Sequence, residues 1–137
     1  MNLTINTDGG SRGNPGPAAY GFVIRQTGGE ILHEEGKTIG VQTNNIAEYR
    51  AILAALTYVR ENYQDSAPHQ IQIVCDSQLA ANQLAGNYKM KNEGLKPLYQ
   101  EIKGMEFDLG VVHYKNVPRV ENFIADRLVN MALDNEV

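Results

Sequence analysis

The hydrophobic and polar positions change period along the chain, and each change marks an expected element. Residues 2–8 alternate between apolar and polar side chains, as in a half-buried strand that ends at Asp8. The segment 9–17 is rich in Gly and Pro and is expected to be a turn. Two further strands are predicted over 20–26 and 30–39, with a Gly-Gly turn between them. Short links between three consecutive strands indicate an antiparallel meander.

The pattern then becomes helical. Apolar side chains recur at three- and four-residue steps over 45–63, which predicts an amphipathic helix with Thr43 or Asn44 as its N-cap. The run 71–75 is almost continuously apolar and predicts a strand covered on both faces. The remaining elements are expected as helices over 77–84 and 95–103 with a loop over 86–92 between them, a strand over 109–114, and a closing helix over 121–133.

The order of these elements predicts the fold class. A helix that connects two neighbouring strands of one sheet requires those strands to be parallel. We therefore expect an α/β fold, with a mixed five-stranded sheet (three antiparallel strands, then parallel strands) and helices on both faces. The chain has 137 residues, of which 42% are hydrophobic and 20% charged, so residues 1–137 are expected to form a single domain. The lone Cys75 excludes an internal disulfide.

Four acids stand at positions where a charge is costly. Asp8 and Asp76 each follow an apolar run, and parallel neighbouring strands would bring both to the carboxyl edge of the sheet. Glu48 and Asp126 lie on or beside the apolar stripes of their helices. Taken singly, each acid also fits an N-cap, a turn or a solvated edge. Together at one edge, with no Lys or Arg placed to neutralise all of them, they favour hard divalent cations such as Mg²⁺ or Mn²⁺.

Four segments, each in the expected place along the chain, give a resemblance to the type 1 ribonuclease H family. These segments are TDGGSRGNPGPAAYG at 7–21, TNNIAEYRAILAAL at 43–56, CDSQLAANQLAGNYKMKN at 75–92 and VPRVENFIADRLVN at 117–130. The family's ribonuclease H-like fold agrees with the fold expected from periodicity. The resemblance implies that Asp8, Glu48, Asp76 and Asp126 are catalytic and hold two Mg²⁺ ions, with Mn²⁺ as a substitute. It also implies hydrolysis of the RNA strand of RNA/DNA hybrids to 5′-phosphate and 3′-hydroxyl products.

The resemblance further implies how the hybrid is recognised. The 2′-hydroxyl is read across a wide minor groove by groups that both donate and accept hydrogen bonds. The implied substrate-binding residues are Gly10, Ser11, Arg12, Gly13, Asn14, Thr43, Asn44, Asn45, Gln78, Lys89, Lys91 and Asn122. Among these, Thr43 resembles a contact to a phosphate of the DNA strand, and Asn122 is expected to orient Asp126 or its loop.

The chain departs from the longer family members in two places, as archaeal and some bacterial members do. Their basic protrusion is reduced to Lys89 and Lys91. Their histidine-bearing loop before the last aspartate is shortened to 116–119, where Arg119 is the candidate catalytic cation. Because an arginine stays protonated, Arg119 is expected to neutralise phosphate charge and not to shuttle a proton. The alternative for Arg119 is a surface residue that caps the loop.

Two alternative functions are disfavoured by particular segments. Another ribonuclease H-like nuclease would not need the TNN and GNPG segments, and an inactive hybrid-binding module would gain nothing from four repulsive acids. The net charge of −4 argues against non-specific binding of polyanions. No signal peptide and no apolar stretch of ~20 residues is evident. We therefore expect a cytoplasmic protein with no membrane partner. The resemblance to the family implies a monomer, and no obligate protein partner is expected.

Overall fold

The computed structural model describes residues 1–135 and contains five strands and four α-helices in that part of the chain. The elements are β1 (Asn2–Ser11), β2 (Gly16–Gln26), β3 (Ile31–Gln42), α1 (Asn44–Asn62), β4 (His69–Cys75), α2 (Gln78–Leu84), α3 (Lys96–Leu109), β5 (Gly110–Asn116) and α4 (Phe123–Asp134), with 3-10 turns at Gln64–Ser66 and Arg119–Asn122. Within these described residues, every helix is too short or too polar to cross a membrane.

The sheet has the order β3-β2-β1-β4-β5. β1, β2 and β3 form an antiparallel meander, β4 is parallel to β1, and β5 is parallel to β4. This confirms the mixed five-stranded sheet expected from the sequence. The parallel pairing of β1 and β4 explains why the residues that follow them meet at one edge.

Helices cover both faces of the sheet, as predicted. α1 packs on β1 and β2 and contacts α3, and this face holds the main core, which includes Ile5, Phe22 and Leu56. α4 packs on the opposite face against β1, β2 and β3, where Val129 and Leu133 meet Ala19. The sheet therefore separates the helix that carries Glu48 from the helix that carries Asp126.

Several element boundaries differ from the sequence prediction. β1 does not end at Asp8 but continues to Ser11 in register with β2, so the first part of the segment 9–17 is strand and not turn. Pairing with β2 satisfies the backbone hydrogen bonds of this segment, although its Gly-rich sequence does not predict a strand. α3 runs to Leu109, and Gly110, at φ 125°, ends it and begins β5.

The prediction that β4 is covered on both faces is wrong for its first half. Gln70 and Gln72 are exposed, whereas Ile71 and Ile73 between them are buried in the core. α4 packs on β1, β2 and β3. The outer side of β4 is therefore open where these glutamines stand, which is unusual for a parallel strand.

Two glycines allow the helices on the two faces to approach β1 closely. A Cβ at Gly9 would overlap the backbone of Ala47 in α1. Gly21 lies opposite Asp8 in the sheet, and a Cβ there would lie 2.8 Å from the Cβ of Leu128 in α4. Since backbone atoms can approach this closely only where no side chain intervenes, both helices can come within reach of Asp8.

Candidate active site

Three carboxylates converge at the carboxyl edge of the sheet. Asp8 comes from β1, Glu48 from the second turn of α1, and Asp76 directly follows β4. One carboxylate oxygen of each lies within 4.8 Å of the others. Asp8 is the most enclosed of the three, with 5% of its surface exposed. They line a cleft of about 550 Å³ that Asp126 also borders.

The enclosure of these acids raises their pKa values. Burial, together with the charges of Asp76 and Asp126, raises the pKa of Asp8 to about 8. Burial and then the charges of Asp8 and Asp76 raise the pKa of Glu48 well above its ordinary value. Burial raises the pKa of Asp76 despite the opposing charge of Arg119. Each shift reflects an environment that disfavours a lone negative charge.

The donor set fits hard divalent cations. The Oε2 atom of Glu48 is buried and has no hydrogen-bond partner, although a buried carboxylate oxygen normally has one. The Gly9 N–H contacts both Asp8 and Glu48 and is too weak a counter-charge for three acids. Oxygen-only ligands at this spacing suit Mg²⁺ or Mn²⁺ and do not suit zinc.

Asp126 and Arg119 also line the cleft, beside the three carboxylates. Asp126 stands near the start of α4 and faces Asp8, where its charge helps to raise the pKa of that residue. The guanidinium of Arg119 lies 3.2 Å from Asp126 Oδ1, and its side chain is 76% exposed. Asn130 donates to the carbonyl of Asp126 at 3.2 Å and to its carboxylate at 3.4 Å. Arg119 thus borders the acids and is free to turn toward a ligand.

The turn that follows β1 is fastened to the start of α1. Thr43 is the N-cap of α1 and accepts a hydrogen bond from the Ile46 N–H. Asn44 Oδ1 accepts from both the N–H and the hydroxyl of Ser11, at 2.9 and 3.0 Å. The Asn44 N–H donates to Asn14 Oδ1 at 3.0 Å. Two distant sequence motifs therefore form one polar wall.

The cleft gathers only some of the predicted substrate contacts. Its lining includes Gly10, Ser11, Arg12, Asn44 and Asn45. The others lie outside that lining, with exposed positions at Gly13, Asn14, Thr43, Gln78, Lys89 and Lys91.

Two predicted contacts are engaged within the protein. Arg12, which lines the cleft, forms an exposed ion pair with Asp134 at 2.7 Å. Asn122 is 1% exposed, donates to the carbonyl of Thr7 and accepts from Asn6 Nδ2. The Asn122 side chain therefore faces β1 and does not reach Asp126, so it fastens the loop before α4 to the strand that carries Asp8.

Sequence reasoning missed two polar residues of the cleft. Ser77 caps α2 and accepts from the Ala80 N–H, and a Ser directly after Asp76 is a recognisable N-cap signal. Asn130 lies four residues after Asp126, which places it on the same face of α4. Both signals were present in the sequence, but each needs the helix start to be known.

Comparison with known proteins agrees with this fold. A family model described as Reverse transcriptase-like matches residues 6–132. Ribonuclease HI of Halobacterium salinarum is 42% identical over 130 residues, covering 93% of this chain and 62% of that protein. LC11-RNase H1, isolated from compost by a metagenomic approach and solved in complex with an RNA/DNA hybrid, has a TM-score of 0.94 at 37% identity and 98% coverage of both chains.

The bifunctional protein Rv2228c of Mycobacterium tuberculosis is 38% identical over 135 residues. The chain covers 36% of that protein, so it spans about a third of the length of this relative. The matches in fold and sequence extend over nearly the whole chain. The chain belongs to the type 1 ribonuclease H family.

Proposed function

We propose that this protein is a metal-dependent endonuclease that hydrolyses the RNA strand of RNA/DNA hybrids. The observation that carries the proposal is the set of three crowded carboxylates, with the partnerless Oε2 of Glu48 among them, at the floor of an open polar cleft. A pure binding module has no use for this arrangement, because three like charges beside a polyanion would repel it.

Asp8, Glu48, Asp76 and Asp126 would hold two Mg²⁺ ions, or Mn²⁺ in their place. When bound, such ions acidify an attacking water and neutralise the charge that develops on the leaving 3′ oxygen. Burial and then the charge of Asp8 are the two largest causes of the raised pKa of Glu48, so Asp8 and Glu48 would share the charge of a bound ion. Arg119 would neutralise charge on the scissile phosphate once it turns away from Asp126.

Recognition of the RNA strand would fall to the polar wall of the cleft. Asn45 presents an amide group that donates and accepts, whereas Asn44, whose Oδ1 already accepts from Ser11, offers its Nδ2 as a donor. Arg12 would exchange its exposed ion pair with Asp134 for a phosphate, since such surface pairs contribute little. Lys89 and Lys91 would add phosphate contacts from the loop that follows α2.

The decisive experiment is a cleavage assay on an end-labelled RNA/DNA hybrid, with single-stranded RNA and duplex DNA of the same sequence alongside. We expect 5′-phosphate and 3′-hydroxyl products from the hybrid with Mg²⁺ and none in EDTA. Asp8→Asn should abolish cleavage, and Asp65→Asn, an exposed acid in the Gln64–Ser66 turn, should not. Binding without cleavage would identify an inactive hybrid-binding module, and equal cleavage of duplex DNA would identify another nuclease of this fold.

The proposal also includes the cellular setting expected from the sequence. A cytoplasmic monomer that acts on hybrids without an obligate protein partner stays a prediction. So does the assignment of residues 1–137 to a single domain.

A further inference from the structure

The open half of the sheet forms a groove on the side opposite the main core. Its floor is made by outward-facing residues of β1, β2, β4 and β5, and its rim by the start of α4, with a volume of about 490 Å³. We call it the outer groove and define it by Thr4, Arg25, Gln72, Lys115, Glu121 and Phe123. Arg25 lies opposite Thr4, and Thr4 opposite Gln72, so these side chains form one row across three strands.

Two cations of the outer groove, Arg25 and Lys115, form no ion pair in the described part of the chain. The Nε atom of Arg25 is buried and has no hydrogen-bond partner. A buried donor without an acceptor costs free energy, and an anion beside the guanidinium of Arg25 would offset that cost through its charge. The strands that carry the two cations are separated by three inter-strand spacings, or about 14 Å.

An exposed aromatic ring stands at the upper rim of the groove. Phe123 is the first residue of α4 and is 65% exposed. It directly follows the Arg119–Asn122 turn, whose Arg119 lines the catalytic cleft while Glu121 lines the outer groove. The turn is therefore the shared wall of the two sites. A nucleic-acid strand that leaves the cleft across this turn would reach Phe123.

We propose that the outer groove binds the single-stranded continuation of the hybrid, with a base stacked on Phe123 and phosphates at Lys115 and Arg25. The inference rests on the proposed function. An exposed ring beside cations is the combination that binds single strands, because unpaired bases offer a free face for stacking. A duplex offers no such face, since its bases are already stacked on each other.

The test compares two hybrids that differ only in a single-stranded extension. One is blunt, and the other carries about six unpaired nucleotides, a length typical of single-strand sites. Affinities are measured by fluorescence anisotropy. Every protein in this test also carries Asp8→Asn, so that no cleavage occurs. The extension is tried at each of the four strand ends, since only one end faces the groove.

We expect one extension to tighten binding at least fivefold, from the stacking of about one base. Phe123→Ala and Lys115→Gln should each remove most of this gain and leave affinity for the blunt hybrid unchanged. The extension should raise the salt slope by about 1.4, and Lys115→Gln should lower it by about 0.7, since each single-strand phosphate contributes about 0.7. Glu121→Gln should instead increase the gain in affinity that the extension gives, because it removes the only acid among the groove's defining residues.

Matched controls separate this site from general effects. Phe107→Ala removes another exposed phenylalanine, in α3, and Lys37→Gln removes another exposed cation, in β3. Neither should change the gain from the extension. Equal affinity for blunt and extended hybrids, or a gain that survives both Phe123→Ala and Lys115→Gln, would overturn the inference. Cleavage of the blunt hybrid tests the proposed function separately, so failure of one is distinguishable from failure of the other.

Discussion

Replacing Asp8 with Asn removes one of three crowded charges and keeps the size of the side chain. In the folded protein the pKa of Asp8 is raised from 3.8 to about 8, mainly by burial and then by the charges of Asp76 and Asp126. Between these two pH values the folded protein holds a proton that the unfolded chain releases. The stability of the metal-free protein should therefore fall as the pH rises from about 4 to about 8.

The size of the effect follows from the same shift. At about 1.4 kcal/mol per pKa unit, the cost of ionising Asp8 in the folded state is at most about 5 kcal/mol at pH 8. The asparagine side chain that replaces it cannot ionise, but it still buries a polar group, and Glu48 and Asp76 still repel each other. We therefore expect Asp8→Asn to raise the free energy of unfolding of the metal-free protein by about 2 kcal/mol at pH 8. For a chain of this size, that corresponds to a rise in Tm of roughly 8 °C.

The assay is thermal unfolding of both proteins from pH 4 to pH 8, in EDTA and in Mg²⁺. In EDTA the two Tm values should be close at pH 4 and diverge as the pH rises. Mg²⁺ should raise the Tm of the parent protein at pH 8 and have little effect on Asp8→Asn, because the ligand is lost. Asp65→Asn, an exposed acid outside the cleft lining, controls for the change in net charge.

Two outcomes would refute this reasoning. One is an Asp8→Asn protein that is less stable than the parent in EDTA at pH 8. The other is a difference in Tm that does not grow with pH. Wild-type cleavage by Asp8→Asn in Mg²⁺ would separately exclude Asp8 from the metal site.

Further predictions concern the arginine, the lysines and the glycine beside the site. Arg119→Ala should lower kcat about ten- to a thousandfold, with partial recovery in Arg119→Lys, and a normal kcat would make it a surface residue only. Lys89→Ala and Lys91→Ala should raise KM more than they lower kcat, and an unchanged KM in both would remove that loop from the substrate path. Gly21→Ala should lower stability by about 2 kcal/mol in urea unfolding and reduce cleavage, because its Cβ would displace α4. A Cβ at Gly104 would have no neighbouring atom within 4 Å, so Gly104→Ala should not destabilise the protein. Equal losses of stability in Gly21→Ala and Gly104→Ala would contradict the packing argument.

Periodicity and misplaced charge were enough to predict the order of the elements. They also predicted that four acids would gather at one edge of the sheet. Hydrophobic spacing is imposed by the geometry of each element, so it survives in the sequence whatever the tertiary contacts are. The prediction that Glu48 lies on the apolar face of α1 is confirmed by its buried Oε2 atom. The N-cap at Thr43 followed from the same local chemistry.

The partners of individual side chains were not predictable in this way. Asn122 reaches Thr7 and Asn6 from more than a hundred residues away, and nothing in its neighbourhood indicates those contacts. The pairing of Arg12 with Asp134 is equally remote. A hydrogen bond or ion pair of this kind depends on which elements pack together.

The sequence by itself determined which residues could do chemistry, and the tertiary structure decided how closely they meet. Asp8 can approach the acids of two helices on opposite faces of the sheet because Gly9 and Gly21 have no Cβ to hold those helices away. A glycine in a strand is ambiguous in sequence, since it also fits a turn or a bulge. Only the packing of α1 and α4 on either side of β1 shows that these glycines set the distances within the site.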